Sequence, residues 1–157
     1  MVDKSNYDIK NLIEQLKSYC AIQERCSNDI VTKMKSWRIT NKNQNKILEI
    51  LIQEDFINDK RYSKSFCRGK FRIKKWGKIK IVNELKRKNI NPTTIISSLN
   101  EISDMDYSKE LDTQFNKKKQ SITTLNYYEK KKKIANYLIG KGYESNLVWE
   151  KLRELKE

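Results

Sequence analysis

Three stretches of the chain repeat one spacing of hydrophobic residues. When Ile39, Ile90 and Tyr143 are superposed, hydrophobic residues also coincide nine and five places before them, and nine and twelve places after them. The three anchor residues lie 51 and 53 positions apart, a spacing typical of helical-repeat proteins. The coinciding residues are Ile30, Ile81, Ile134, Met34, Leu85, Leu138, Leu48, Leu99, Leu152, Leu51, Ile102 and Leu155. The pattern predicts three tandem modules.

Each repeat contains two amphipathic helices, and a third helical stretch precedes each pair. In the middle repeat, Ile81, Val82 and Leu85 line one side of a helix over about 78–89. Asn91 and Pro92 then start the next helix as its N-cap and first-turn residue. The preceding helices are predicted over about 7–26, 59–75 and 106–121. The sequence thus predicts an all-α fold, three tandem three-helix bundles in an elongated, curved array, with modules at 1–57, 58–103 and 104–157.

Positive charge is concentrated in one part of the chain. The whole sequence carries 34 Lys and Arg against 20 Asp and Glu, a formal net charge of +14. Residues 60–88 alone carry 13 Lys and Arg against the single carboxylate of Glu84, a net charge of +12. A compositional bias towards Lys would spread along the chain, so this concentration indicates a polyanionic partner, of which nucleic acid is the commonest.

The basic segment separates into two stripes when it is drawn as a helix. At about 100° per residue, five cations fall within roughly 80° of one another, and aromatic and small residues fall on a second stripe. Phe71 lies beside the cations, where burial inside its own module is not expected. The cations are Arg61, Lys64, Arg68, Arg72 and Lys75, and the second stripe is Tyr62, Phe66, Gly69, Ile73 and Trp76.

A β-hairpin over residues 71–82 is the alternative for this segment, because apolar and polar residues alternate there around Trp76 and Gly77. The threefold spacing favours the helix, with Gly77 as the break between two helices. Like charges along one helix face repel, so we expect the row of cations to bind an external anion that relieves this repulsion. The candidate nucleic-acid or filament-binding residues are Arg61, Lys64, Arg68, Phe71, Arg72, Lys75 and Lys78.

Catalytic and metal-binding chemistry is not indicated. Histidine is absent, and Cys20, Cys26 and Cys67 lack zinc-like spacing, so no catalytic residue, metal or cofactor is expected. Asp59, at the start of a predicted helix, is interpreted as a capping residue. The start of the chain lacks a secretory pattern, and no apolar run is long enough to cross a membrane, so a cytoplasmic protein is expected. We also expect it to be a monomer.

Two further features have more than one interpretation. Four consecutive lysines, Lys130–Lys133, point in all directions around a helix, which favours a solvated surface over a second anion site. Trp37 and Trp149 lie in helical apolar patterns, which predicts core or inter-module packing for both.

The middle of the chain resembles a known family. The stretch FINDKRYSKSFCRGKF, followed by WGKIKIVNELKRKNINPTTIISSL, is similar to the central repeat of the RecX family, bacterial regulators of the RecA recombinase. The outer stretches ILEILIQEDFI and IANYLIGKGYESNLVWEKL match that family more loosely. Asn58 and Asn89 depart from its usual Asp and Gly. The matching residues are Phe56, Ile57, Asp59, Arg61, Tyr62, Phe66, Arg68, Gly77, Ile81, Glu84, Leu85, Lys88 and Ile90.

The resemblance implies a non-enzymatic regulator built from three three-helix modules. Such proteins lie in the groove of the RecA–DNA filament and restrain strand exchange, co-protease activity and filament extension. The partners implied are therefore the RecA filament and its DNA. The alternative is a general DNA- or RNA-binding helical protein that acts without a recombinase, with cations on phosphates and Phe71 or Trp76 stacked on bases.

Overall fold

The computed structural model describes residues 2–156, and the chain forms nine α-helices within that range. A short 3-10 turn at Leu99–Glu101 extends the sixth helix. None of the helices in this range is long and apolar enough to cross a bilayer. The helices are α1 (Ile9–Ile22), α2 (Ser27–Ser36), α3 (Asn41–Gln53), α4 (Asp59–Arg72), α5 (Lys78–Arg87), α6 (Pro92–Ser98), α7 (Asp104–Ser121), α8 (Tyr127–Gly140) and α9 (Ser145–Leu152).

The helices pack in three groups of three, here named the first triplet (α1–α3), the middle triplet (α4–α6) and the last triplet (α7–α9). In the first triplet α1 and α2 both pack on α3, and in the last triplet α8 packs on both α7 and α9. The all-α repeat architecture predicted from the sequence is confirmed. Residues 78–87 are helical, so the hairpin alternative over 71–82 is excluded.

Twelve of the fifteen repeated hydrophobic positions are buried in the cores, and Leu48, Leu99 and Leu155 are partly buried against them. Ile30, Ile81 and Ile134 are fully buried at equivalent places, as are Met34 and Leu85 at the next. The first triplet has its own core, whereas one continuous core runs through the middle and last triplets. Trp37 is buried as predicted, but Trp149 is 44% exposed, so the prediction of burial is wrong for that residue.

Equivalent residues end the second helix of each triplet in the left-handed region. Arg38, Asn89 and Gly142 have φ of 60°, 56° and 99°, and each directly precedes one of the anchor residues of the repeat. Only the last of the three is a glycine. In this region a side chain such as that of Arg38 costs roughly 1–2 kcal/mol, whereas asparagine adopts it more readily. The first triplet therefore carries backbone strain that the last one avoids.

Replacing Arg38 by glycine is expected to stabilise the first triplet. The relief of left-handed strain exceeds the added chain entropy of glycine, leaving a gain of about 0.5–1 kcal/mol. Urea unfolding measures the change. Lys35→Gly, inside α2, is the matched control and should lose about 1 kcal/mol instead. Equal losses in both variants would contradict the strain at Arg38.

Polar contacts join the first triplet to the middle one. The Asp59 carboxylate accepts the Ser27 N–H at 2.8 Å, so it caps α2, while Asn58 caps α4 itself. Asp59 is thus a capping residue, but the helix that it caps is α2 of the first triplet and not its own helix α4. The Lys88 ammonium also reaches Asp29 Oδ1 at 2.6 Å. Burial alone would raise the pKa of Asp29, but this ammonium and the Cys26 N–H outweigh it and hold that pKa below its usual value.

Backbone contact joins the middle triplet to the last one. The Gly77 N–H donates to the Lys141 carbonyl at 2.7 Å, and the Ile79 N–H donates to the Gly142 carbonyl at 2.9 Å. A Cβ on Gly77 would lie 2.2 Å from the backbone carbon of Gly142. Gly77 does more than break the chain between two helices, because it allows two backbones to touch.

Candidate functional site

One face of α4 carries a row of four cations spaced one helical turn apart: Lys60, Lys64, Arg68 and Arg72, here named the α4 basic face. At this spacing successive side chains turn by about 40°, so the four share one side of the helix. Lys60, Lys64 and Arg72 are exposed, and Arg68 is half-buried. The helical stripe predicted from the sequence included three of these residues and missed Lys60.

Hydroxyl groups of α6 complete a cleft beside this face. The cleft has a volume of about 290 Å³ and is lined by Lys60, Lys64 and the hydroxyl side chains Thr93, Thr94 and Ser97, with Ser98 at its base. Lysine ammonium and hydroxyl groups are both common ligands of phosphate oxygens. The α4–α6 packing therefore brings phosphate-compatible groups from two helices to one place.

Arg61 serves the junction between the first two triplets. Its Nε lies 2.9 Å from both Glu24 carboxylate oxygens, and its Nη1 lies 2.9 Å from Asp55 Oδ2. The hydrogen bond that Arg61 donates to Glu24 is the largest cause of the raised pKa of Arg61. This guanidinium already has two carboxylate partners. Arg61 therefore stabilises the junction between the triplets and is not the free cation that the sequence pattern predicted.

Three other predicted binding residues also face carboxylates. Arg68 Nη1 lies 3.1 Å from Glu101 Oε2, and the Lys75 and Lys78 ammonium groups each lie 3.8 Å from a carboxylate oxygen, of Glu110 and Asp104 respectively. The helix α4 ends at Arg72, and Lys75 has a φ of 60°. Lys75 and Lys78 therefore do not continue the helical stripe.

The expected exposure of Phe71 is wrong. The side chain is 8% exposed, and its ring packs on Tyr107 of α7 with ring centres 5.9 Å apart. Tyr107 in turn packs on Tyr143 at 5.3 Å, which links the middle and last triplets through three rings. The helical projection considered one module alone, and the cover over Phe71 comes from the next. Ile73, assigned to the second stripe, is instead 76% exposed.

Trp76 is engaged by lysines of its own triplet. The Lys70 and Lys80 ammonium groups lie 4.9 and 4.5 Å from its ring centre, and Phe66 packs edge-on at 6.4 Å. The side chain is half-buried. A base that stacked on this ring would have to displace these contacts, so the structure gives Trp76 less freedom for stacking than the sequence suggested.

Seven of the 13 cations in residues 60–88 have no carboxylate within 4.0 Å among residues 2–156. Lys64 and Arg72 are the predicted binding residues in this group. Because few anions lie nearby, these charges remain available to an external anion. The seven are Lys60, Lys64, Lys70, Arg72, Lys74, Lys80 and Lys86.

Burial disfavours the thiolate form of all three cysteines. Burial raises the pKa of Cys26 and of Cys67 to about 11, and it also raises the pKa of the half-buried Cys20. Thiols with such pKa values stay protonated and are weak nucleophiles. The chemistry that this arrangement supports is the binding of anions by exposed cations.

Two models of one family match the chain. The second three-helix domain of RecX matches residues 58–99, which contain α4–α6, and the third matches residues 108–152, which span most of α7–α9. The matched segments hold 42 and 45 residues, together more than half of the 157.

Curated relatives agree with the models. The regulatory protein RecX of Bacillus cytotoxicus is 26% identical over 155 residues, covering 97% of this chain and 56% of the relative. The regulatory protein RecX of Clostridium acetobutylicum is 29% identical over 135 residues, covering 83% of this chain and 62% of the relative. The chain thus spans little more than half the length of these relatives.

Crystal structures with the same fold extend over nearly the whole chain. A regulatory protein RecX superposes with a TM-score of 0.84 at 21% identity, covering 94% of this chain and 73% of its own. RecX from Lactobacillus salivarius superposes with a TM-score of 0.82 at 24% identity, covering 94% of this chain and 96% of its own. Since models, relatives and fold all agree, the chain belongs to the RecX family of regulatory proteins.

Proposed function

We propose that this chain binds in the groove of the RecA–DNA filament and inhibits the recombinase. The activities that it would inhibit are strand exchange, co-protease activity and filament extension. Membership of the RecX family supports the partner, and the relatives are named as regulatory proteins. A filament on DNA offers phosphate together with protein carboxylates, and both suit a cationic surface.

The α4 basic face is the proposed contact. The observation that carries this assignment is the exposure of Lys60, Lys64 and Arg72 without a carboxylate within 4.0 Å in the described part of the chain. Arg68 joins them, because a half-exposed ion pair such as Arg68–Glu101 contributes little and can be exchanged for a phosphate. Phe71 is left out, since its ring is buried against Tyr107.

Three charge reversals test the contact: Lys60→Glu, Lys64→Glu and Arg72→Glu in one variant. These cations are exposed and free, whereas reversal of Arg68 or Lys75 would place like charges against Glu101 or Glu110. Affinity for RecA assembled on single-stranded DNA should fall about tenfold or more, with a shallower salt dependence. Fluorescence anisotropy of the labelled protein measures both quantities.

A variant of equal charge change provides the control. Lys10→Glu, Lys42→Glu and Lys46→Glu alter exposed lysines of the first triplet and should weaken filament binding far less. Equal losses in both variants would contradict a local contact. Tight binding to bare DNA that RecA does not improve would instead indicate a general nucleic-acid-binding protein.

Regulation itself is tested by following RecA filament growth on single-stranded DNA. The parent protein should slow extension at concentrations that saturate the filament, and the α4 variant should need about tenfold more protein for the same effect. Filament growth that is unchanged by saturating parent protein would overturn the regulatory part of the proposal.

A further inference from the structure

A second concentration of positive charge lies in the last triplet. Residues 117–133 hold seven lysines against the single carboxylate of Glu129. The other residues from 89 to 157 hold five Lys and Arg against nine Asp and Glu. Residues 89–157 therefore have a net charge of only +2, although their positive and negative charges are strongly separated along the chain.

The fold brings two lysine clusters together. Lys117–Lys119 lie near the end of α7 and Lys130–Lys133 near the start of α8, and the two helices pack on each other. Between them lies an open cleft of about 610 Å³. Lysines from both clusters, Lys118 and Lys133, line this cleft together with the polar side chains of Ser121, Thr123, Asn136 and Tyr137.

These lysines have few internal partners. Lys133 Nζ lies 3.1 Å from Glu129 Oε1, and this hydrogen bond lowers the pKa of Glu129. The other six lysines have no carboxylate within 4.0 Å among residues 2–156. A row of like charges is relieved by external anions, as on the α4 basic face. Hydroxyl and amide groups around Lys118 add donors suited to phosphate and sugar oxygens.

Exposed aromatic rings distinguish this surface from the middle triplet. Tyr128 of α8 is 74% exposed and Trp149 of the neighbouring α9 is 44% exposed, whereas Tyr62 and Phe71 of α4 are 9% and 8% exposed and Trp76 is half-buried. Tyr128 precedes Lys132 by one helical turn, so the two side chains share a side of α8. Cations interleaved with exposed rings are typical of sites that bind single strands, because unpaired bases stack on the rings.

We infer that the α7–α8 surface is a second binding site, one for single-stranded nucleic acid. Lys118, Lys132 and Lys133 contact backbone phosphates, and Tyr128 stacks on an unpaired base. The site is separate from the α4 basic face and does not depend on a recombinase. An acidic protein surface would satisfy the lysines but would leave Tyr128 without a role.

Neutralising the lysines is the first test. The full chain with Lys118→Gln, Lys132→Gln and Lys133→Gln should bind a labelled oligothymidylate of about 20 nucleotides at least tenfold more weakly. The slope of log affinity against log salt should shrink by roughly 2, about 0.7 for each lost phosphate contact. Lys10→Gln, Lys42→Gln and Lys46→Gln together form the control of equal charge, and a loss as large in that control would overturn the site.

Changing the ring is the second test. Tyr128→Ala should weaken oligothymidylate binding about fivefold or more, since stacking contributes about 1–3 kcal/mol for each base. Tyr128→Phe, which keeps the ring, should bind like the parent, and the affinity of Tyr128→Ala for duplex DNA should not change. If Tyr128→Ala binds the oligonucleotide as tightly as the parent does, the inference is overturned. Polyglutamate that then displaces the labelled oligonucleotide as well as unlabelled oligonucleotide does would identify an acidic protein as the partner.

The α4 variant with Lys60, Lys64 and Arg72 reversed separates this inference from the proposed function. If it binds RecA filaments normally while the Lys118, Lys132 and Lys133 variant loses the oligonucleotide, the proposed function fails and the second site stands. If the lysine variant keeps parental affinity for the oligonucleotide, the second site fails whatever the filament measurement gives.

Discussion

Gly77→Ala is expected to separate the last triplet from the middle one and to destabilise the protein by roughly 3–5 kcal/mol. The added Cβ would lie 2.2–2.3 Å from backbone atoms of Gly142 and Tyr143, and backbone cannot rotate away as a side chain can. The two chains must therefore move apart, which lengthens the hydrogen bonds from the Gly77 and Ile79 N–H groups. The φ of Gly77 is −76°, so the effect is steric and not conformational.

Urea unfolding followed by circular dichroism measures this loss. Gly69→Ala is the matched control, because a Cβ at Gly69 meets nothing within 4 Å and the residue lies inside α4. Alanine favours helix over glycine by about 1 kcal/mol, so the control should be slightly more stable than the parent. A Gly77→Ala variant as stable as the parent would show that the Gly77–Gly142 contact does not hold the triplets together.

Ile81→Asp is expected to unfold the middle and last triplets, with a loss of about 5 kcal/mol or more. Ile81 is fully buried in the core that these triplets share, where a carboxylate loses both hydration and any partner. The first triplet has a core of its own, so part of the helical signal should remain. Ile96→Asp, at a position that is 69% exposed, should cost little by comparison.

The pH dependence of the Ile81→Asp variant separates charge from shape. Burial raises the pKa of the new carboxyl in the folded state, so its penalty is largest above that pKa and shrinks as the pH falls towards about 4. Ile81→Asn has a similar shape and does not titrate, so its destabilisation relative to the parent should stay constant over the same range. If the destabilisation by aspartate were equally independent of pH, a charged and buried carboxyl would not be its cause.

The two junctions between triplets have different physical origins. The first and middle triplets meet mainly through capping and ion-pair contacts, such as Asp59 with Ser27 and Arg61 with Glu24, and Cys26 beside α2 adds one buried apolar contact. The middle and last triplets meet through touching backbones and a continuous apolar core. Interactions between partly exposed charges weaken with salt, whereas apolar burial does not. Salt should therefore loosen the first junction before the second.

The residues of the α4 basic face illustrate which part of a site could be predicted. The spacing of Lys64, Arg68 and Arg72 follows from helical geometry alone, and α4 begins at the predicted residue. The partners of Arg61 and Arg68 come from Glu24 and Glu101, 37 and 33 residues away, and no local pattern indicates them. The cations were predictable, but which of them remain free was not.

The sequence by itself determined the helices, their threefold repetition and the local excess of charge, because helical periodicity and capping act over a few neighbouring residues. Ile30, Ile81 and Ile134 could be recognised as core for that reason. Only the tertiary structure decided that Phe71 is covered by Tyr107, that Gly77 touches Gly142, and that Lys118 meets Lys133 at one cleft. Each of these contacts depends on how separate helices and triplets dock, which is set by the fit of whole surfaces and leaves no periodic trace in the chain.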